Sequence, residues 1–254
     1  MIPVSGPSDL LEKAARLRDR GAHGLLLSGG ADKDGRLPWR TYAESIARIG
    51  LETDLYLSAH TGFPSIEDCL LLRSSGVRQG LIDVMGDPDT ATGVYHLPGL
   101  DSVLQSMDAI LESGLSLVPH IVAGLHYGNI RGERRALQLV ASCRPAALVF
   151  VVLTGLPGTP MASVRPPSPL EVARLIAEAR ILMPDVPLSL GCERPRNKEG
   201  SVLESLALYA GITRMAVWSE EAVEQARAWG LDPRFQATCC SLPLQPDFSC
   251  DGPV

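Results

Sequence analysis

The segment Leu148-Val149-Phe150-Val151-Val152-Leu153 is apolar at all six positions, yet it is too short for a buried helix. A strand with one face in water alternates apolar and polar residues. A strand apolar throughout is covered on both faces, as in parallel sheets flanked by helices. Comparable short runs recur at 24–28, 54–58, 80–84, 115–122, 147–153, 186–190 and 214–218, separated by stretches of helical period. Seven strands alternating with helices imply an α/β chain built from βαβ units around a parallel sheet.

The helix boundaries carry their own marks. Ser168-Pro169-Leu170-Glu171 combines a capping serine, proline at the first helical position and a glutamate that closes a capping box. Ser219 before Glu220 and Glu221 is a second N-cap, and Gly76, Gly114, Gly211 and Gly230 are placed as helix stops. The chain opens on a helix, since Pro7-Ser8 can cap Asp9 to Gly21, where Leu10, Leu11, Ala14, Leu17 and Arg18 trace one face. An eightfold barrel opens on a strand, so about seven strands behind a leading helix read as a parallel (β/α) barrel over 1–231 whose first strand is absent. An open seven-stranded sheet is the alternative. Residues 232–254, with Pro233, Pro243, Pro246 and Pro253, show no periodicity and read as an irregular C-terminal tail.

A hydrophobic fraction of 45% is ample for a buried core, and a net charge of -6 leaves no basic stripe to track a phosphate backbone. Nucleic acid is therefore excluded as a partner in favour of a small molecule. No run approaches the roughly 18 to 20 apolar residues of a membrane span. Met1-Ile2-Pro3-Val4 lacks the regions of a signal peptide, which points to a cytoplasmic protein without membrane contact.

Reacting groups of parallel barrels sit at the carboxyl ends of the strands. Those positions hold Ser28-Gly29-Gly30, His60-Thr61, Asp83, His120, Thr154, Cys192-Glu193-Arg194 and Ser219. Gly29-Gly30 leaves the backbone open to a ligand, or makes a tight turn, and 31–35 reads as a polar turn. His96 and His126 lie in loops beside Tyr95 and Tyr127, within reach of a substrate, whereas His23 reads as structural. Cys239 and Cys240, being adjacent, cannot both point the same way without strain, so one of them with Cys192 suits a soft metal, or the three are plain thiols; Cys69 falls inside a helix and Cys143 near the end of another, and both read as packing residues. Histidine and acid spacings match no helical zinc motif. A lyase or aldolase using Lys33 or Lys198 is a weaker reading, because neither lysine lies in an apolar strand that would lower its pKa.

Several segments, in order, resemble the biotin-synthase-like radical S-adenosylmethionine (radical SAM) proteins, a group that includes lipoyl-synthase-like members. They are Gly24-Leu-Leu-Leu-Ser-Gly-Gly30 with Asp34-Gly35, Leu81-Ile-Asp83-Val, Val94-Tyr-His96-Leu, Val118-Pro-His120-Ile-Val-Ala-Gly124-Leu-His-Tyr-Gly128, Leu156-Pro-Gly-Thr-Pro-Met161, Leu190-Gly-Cys192 with Arg194-Pro195, and Cys239-Cys240-Ser-Leu242. The resemblance implies a radical SAM barrel that uses a 4Fe-4S cluster and S-adenosyl-L-methionine to abstract hydrogen from a substrate, with sulfur insertion as one outcome. It further implies a small or lipoyl/biotin-like substrate and an electron donor such as ferredoxin or flavodoxin.

By the same resemblance, Gly29 and Gly30, beside Ser28 and His60, meet the methionyl amino group. The stretch His120 to Gly124, including Val122, borders the adenine, Leu156-Pro157-Gly158 adds backbone contacts to the base, and Asp83 faces the ribose. Tyr95, His96, Cys192 and Arg194 would serve the substrate, Arg194 by pairing with a carboxylate, and Cys192, Cys239 and Cys240 would serve an auxiliary cluster. The family's C-x3-C-x2-C cluster motif does not occur in the 254 residues. Either an upstream segment carries those cysteines, or the chain is a non-catalytic barrel that binds S-adenosylmethionine or a partner subunit.

Overall fold

The computed structural model describes residues 2–243. Along the chain run α1 (Pro7–Asp19), β1 (Gly24–Leu27), α2 (Trp39–Glu52), β2 (Tyr56–His60), α3 (Ile66–Ser74), β3 (Gln79–Asp83), α4 (Pro88–Gly93), α5 (Leu100–Glu112), β4 (Ser116–Ala123), α6 (Glu133–Ser142), β5 (Leu148–Val152), α7 (Pro169–Leu182), β6 (Leu188–Leu190), α8 (Lys198–Tyr209), β7 (Arg214–Met215) and α9 (Glu220–Ala228). The strands form one sheet in chain order, β1 to β7. Pairs β1/β2, β2/β3, β4/β5, β5/β6 and β6/β7 are parallel, each reached by a helical crossover. That is the strand order of a (β/α) barrel, as the apolar runs imply.

The differences from the sequence reading are local and have causes. Pro187 has no N–H for the ladder, so β6 begins at Leu188 rather than at 186. Strand β7 stops at Met215 because Val217 takes a left-handed φ of 49°, a genuine outlier for a β-branched residue. The predicted helix stops Gly76, Gly114, Gly211 and Gly230 all have positive φ. After three of them a 6→1 bond follows: Val77 N–H to Leu72 O, Ile212 N–H to Ala207 O and Leu231 N–H to Ala226 O. The N-caps predicted at Ser168 and Ser219 are formed, and Ser65 with Asp68 adds a further capping box; the cap expected at Pro7-Ser8 is not, because α1 already starts at Pro7 behind Gly6, with no side-chain cap, the proline taking the first turn where its missing N–H costs nothing.

Backbone proximity divides the chain into two compact units, Met1–Ile82 with Asp101–Leu117 and Phe235–Val254, and Asp83–Leu100 with Val118–Arg234. In the first, Leu10, Ile46, Ile49, Leu57, Leu72, Leu81 and Ile110 are buried, together with Cys69 on α3, whose thiol burial pushes up to about 12. Residues 235–243 contain neither helix nor strand and cross the amino end of β1. His23 N–H donates to Ala237 O at 3.3 Å. A Cβ at Gly24 would lie 2.2 Å from Leu242 Cδ2 and 2.7 Å from Tyr56 O, so only glycine lets the crossing segment approach this closely. The expected tail continues into 244–254, with Pro246, Cys250 and Pro253, which lie outside the described residues.

The second unit packs Ile121, Leu137, Phe150, Leu175, Ile176, Leu188, Leu190 and Leu203 into its interior. Its β6 and β7 are short, and a buried ion pair supplies what the ladder does not. Arg194, 2% exposed, donates to Glu204 at 2.6 Å, Ala216 O at 2.9 Å and Val217 O at 2.6 Å, and also to Gly191 O. Glu204 in turn accepts the Ser219 N–H at 2.8 Å. One guanidinium and one carboxylate thereby join the ends of β6 and β7 to α8 and the start of α9. Burial opposes ionisation of Glu204, but bonds from Ser219 and Arg194 outweigh it and hold the carboxyl below its ordinary value. Glu204→Ala leaves the guanidinium buried without its counter-charge. Such changes cost about 3–5 kcal/mol, so the urea midpoint should fall steeply at an unchanged slope, with Glu204→Gln falling less.

Candidate functional site

In the first unit the site-bearing loops leave the carboxyl ends of β1 and β2. Ser28, Gly29 and Gly30 are exposed, and a Cβ at Gly30 would meet nothing within 4 Å. Open backbone, not a crowded turn, is the local state. The loop beyond folds on Asp32, whose Oδ1 accepts the N–H groups of Asp34 and Arg36 at 2.9 Å each, the Asx chemistry expected of 31–35. Phe63 N–H donates to Gly35 O at 2.9 Å, and Arg36 and Gly62 form an antiparallel bridge. Gly62 has a φ of 66°, and a Cβ there would lie 2.2 Å from Gly35 O. The β1 loop is therefore pinned to the β2 loop beside Gly29-Gly30. His60 ends β2, half-buried, and Thr61 Oγ1 closes on Leu81 O at 2.9 Å.

In the second unit Asp83 ends β3 and is half-buried. The Tyr95 hydroxyl donates to Asp83 Oδ2 at 2.5 Å. Burial, then the Asp83 charge, pushes the phenol well above its ordinary pKa, so it remains a donor. His120, inside β4 and 9% exposed, presents a ring nitrogen within 4.8 Å of an Asp83 carboxylate oxygen. A carboxylate and an imidazole at that spacing suit a polar ligand, and they are also hard and borderline donors for a divalent ion.

The β4 loop is held by a carboxylate that the sequence reading did not single out. Glu133, 6% exposed, accepts Gly124 N–H at 2.8 Å and Arg131 N–H at 2.7 Å. Gly124 has a φ of 79°, and a Cβ there would lie 2.4 Å from Pro167 Cδ. Beside it, His126 Nδ1 lies 3.0 Å from Thr90 Oγ1 and Nε2 lies 3.0 Å from Arg131. The Thr90 hydroxyl already donates to Asp87 Oδ2 at 2.7 Å, and arginine can only donate. His126 therefore carries its proton on Nδ1 and accepts at Nε2. Asp87 caps α4 and is paired with Arg131 at 3.1 Å. Burial opposes its ionisation, but Thr90 and Arg131 outweigh this and hold its carboxyl below the ordinary value. Asp87, Thr90, His126 and Glu133 line a small pocket with Val84, Met85, Val122 and Leu125. Asp87-Pro88, a cap followed by proline, was the sequence mark of this corner.

The remaining predicted positions divide. His96 is exposed with a φ of 56°, and Leu156, Pro157 and Gly158 are exposed in a turn whose Leu156 O accepts Thr159 N–H at 3.2 Å and Thr159 Oγ1 at 2.7 Å. Cys192 is exposed after β6, and next to it Glu193 accepts the Thr154 hydroxyl, at the ends of β6 and β5. Arg194 does not face a substrate carboxylate: its guanidinium is committed to Glu204 and to backbone carbonyls in the interior. Cys239 and Cys240, the other positions of the auxiliary-cluster reading, stand in the first unit. Both thiols belong to the segment fastened at the amino end of β1. Cys192 follows the carboxyl end of its own strand, as a ligand serving the loop ends must. Lys33 is exposed and its pKa is raised by a bond to Asp34, the reverse of what Schiff-base chemistry needs.

No protein-family model matches the chain. Among curated proteins it is similar to the biotin synthase of Beijerinckia indica subsp. indica, 24% identical over 213 residues, covering 80% of this chain and 64% of the relative. The biotin synthase of Vesicomyosocius okutanii is 39% identical over 174 residues, covering 66% of this chain and 51% of the relative. The chain thus spans about half to two-thirds of the length of these relatives. Among solved structures, methylornithine synthase superposes with a TM-score of 0.66 at 17% identity, covering 91% of this chain and 74% of that one. The FeFe-hydrogenase maturase of Carboxydothermus hydrogenoformans gives 0.63 at 16%, over 89% and 58%. Hydroxymethylglutaryl-CoA lyase from Pseudomonas aeruginosa also gives 0.63, at 12% identity over 91% and 81%, so the structural likeness shows the fold alone.

A hydrogen bond to a charged group is worth about 1.5–3 kcal/mol. Tyr95→Phe, which removes only the donor to Asp83, should lower unfolding free energy by an amount in that range at neutral pH, read from urea titration.

Proposed function

We propose that this chain, a biotin-synthase-like protein of the radical SAM superfamily, binds S-adenosyl-L-methionine at the carboxyl ends of its strands. The observation that carries the reading is the collinear match to biotin synthases at 24–39% identity over two-thirds to four-fifths of the chain. The backbone at Gly30 has room for a ligand, which fits the methionyl end of S-adenosylmethionine. Gly29 and Gly30 offer backbone acceptors to its ammonium, and Ser28 and His60 flank them. Asp83, oriented by Tyr95, accepts from ribose hydroxyls. Val122, near the end of β4, and Gly124, in the loop tied down by Glu133, border the adenine, and Pro157 and Gly158 add backbone contact, the Leu156 carbonyl being engaged in its own turn.

In the superfamily, an iron–sulfur cluster supplies the electron that cleaves this cofactor. The chain's own residues do not fit that group, since no C-x3-C-x2-C occurs among them. The roles assigned are therefore those of binding and orientation: fixing the cofactor's polar groups and excluding water from its reactive end. The same sequence fact favours a second reading, a barrel that binds S-adenosylmethionine or a partner subunit without cleaving it. In the first reading, a small-molecule substrate and a one-electron donor protein complete the reaction.

Calorimetric titration of the 254-residue chain with S-adenosylmethionine tests the shared claim. Binding is expected, weakened about tenfold or more, or about 1.4 kcal/mol, by Gly30→Val, which has space for its side chain, and by Asp83→Asn. Absence of binding, or binding indifferent to both changes, overturns the assignment. Anaerobic reconstitution with iron and sulfide of the product of the whole reading frame, any residues upstream of Met1 included, then separates the readings: formation of 5′-deoxyadenosine supports the enzyme, and its absence with binding retained supports the binding barrel.

A further inference from the structure

Side chains along a strand alternate between the two faces of its sheet, and two contacts in the first unit settle which face is which. A Cβ at Gly80 would lie 3.0 Å from Ile110 on α5, and one at Gly50 on α2 would meet Leu57 Cδ1 at 3.7 Å. Gly80 and Leu57 therefore face the helices. Ser58 and Gln79, each one residue away, face the opposite side. The register pairs Leu26 with Ser58 and Ser58 with Gln79, so these three side chains form one row across β1, β2 and β3.

The row is polar at one end and apolar at the other. Gln79 is 3% exposed, and its Oε1 has no hydrogen-bond partner among the described residues. Native structures leave few buried polar atoms in that state, and each calls for a reason. Ser58, also buried, donates its only hydroxyl proton to Leu25 O at 3.1 Å, so its oxygen has acceptor capacity alone to offer. Two accepting oxygens thus stand on strands about 4.8 Å apart. Leu26, on the same face, is exposed, which leaves the row open beside β1.

We propose that Ser58 and Gln79 form a subsite for a neutral hydrogen-bond donor, an amide N–H or a hydroxyl, on a substrate whose apolar body lies against Leu26. None of the three side chains is ionisable. A cation held by two uncharged oxygens would not recover its lost hydration, and a carboxylate would set acceptor against acceptor. The row lies two residues before Ser28 and His60, or about 6.6 Å along the strands, so the donor group would be held directly below the proposed cofactor site. Calling its bearer a substrate rests on that cofactor reading; binding at the row does not.

The full chain, without cofactor, is titrated with hexanamide, an apolar chain ending in a neutral N–H donor, and with N,N-dimethylhexanamide, which keeps the carbonyl and loses the donor. Side-chain amide resonances in proton–nitrogen correlation spectra report binding, those of Gln79 being assigned by their loss in Gln79→Met. Expected is saturable binding of hexanamide with a Kd of about 1–10 mM, the range open to so small a ligand, which shifts the Gln79 resonances. The dimethyl amide should leave them unmoved. Gln79→Met and Ser58→Ala should each weaken hexanamide about threefold to tenfold, the worth of one hydrogen bond. Gln79→Met should keep or raise the urea midpoint, since no bond within the protein is lost.

Absence of hexanamide binding, equal binding of the two amides, unmoved Gln79 resonances, or a fall in the Gln79→Met midpoint each overturns the proposal. The comparison of the two amides uses the unmutated chain and so does not depend on a variant's folding. A chain that binds hexanamide in this way but not S-adenosylmethionine keeps the subsite and loses the cofactor reading; the reverse result removes this inference alone.

Discussion

A strand that is apolar on both faces has no water beside it, and each unpaired backbone N–H or C=O within it carries the full cost of desolvation. Runs such as Leu148 to Val152 must therefore be paired along their length, and parallel pairing requires a crossover between neighbours. The chain-ordered sheet follows from that requirement, and so does the position of its polar residues. Where the ladder ends, backbone groups still need partners, and the loops leaving the carboxyl ends must supply them.

In this protein carboxylates repeatedly do so. Asp32 gathers two N–H groups after β1, Asp87 caps α4 after β3, Glu133 holds the β4 loop through Gly124 and Arg131, and Glu204 receives Ser219 after β7. Each acid fixes a loop that bears predicted ligand contacts or adjoins one, and each accepts from backbone N–H groups, bonds of the charge-assisted kind. A net charge of -6 is thus partly a record of internal anchoring.

What the sequence revealed and what it hid divide along the same line. Strand positions and helix stops were legible because periodicity and left-handed glycines are local properties. The turn at Asp32 was legible for the same reason, whereas Gly29-Gly30 read equally as a tight turn, because two glycines permit both and only the neighbours decide between them. Arg194 was misread because a charged residue next to a strand end looks the same whether it faces out or in; its burial depends on Glu204, ten residues on, and on carbonyls beyond position 215. Glu133 escaped notice because its value lies in two backbone N–H groups that no spacing rule announces. Cys239 and Cys240 suggested a shared metal because cysteines invite grouping, and only the contact of Leu242 with Gly24 shows which end of β1 they occupy.

The segment that crosses Gly24 bears on the order in which the molecule can assemble. The first unit is made of three stretches of chain, the last of them starting at Phe235. A growing polypeptide exposes β1 some two hundred residues before Leu242 leaves the ribosome, and domains tend to fold as units during synthesis. The second unit, complete by Arg234, therefore has all its residues available while the first still waits for its closing piece. Among the strands described, β1 is thus the first to be made and among the last to gain its native surroundings, its amino end staying open until the segment around Leu242 arrives.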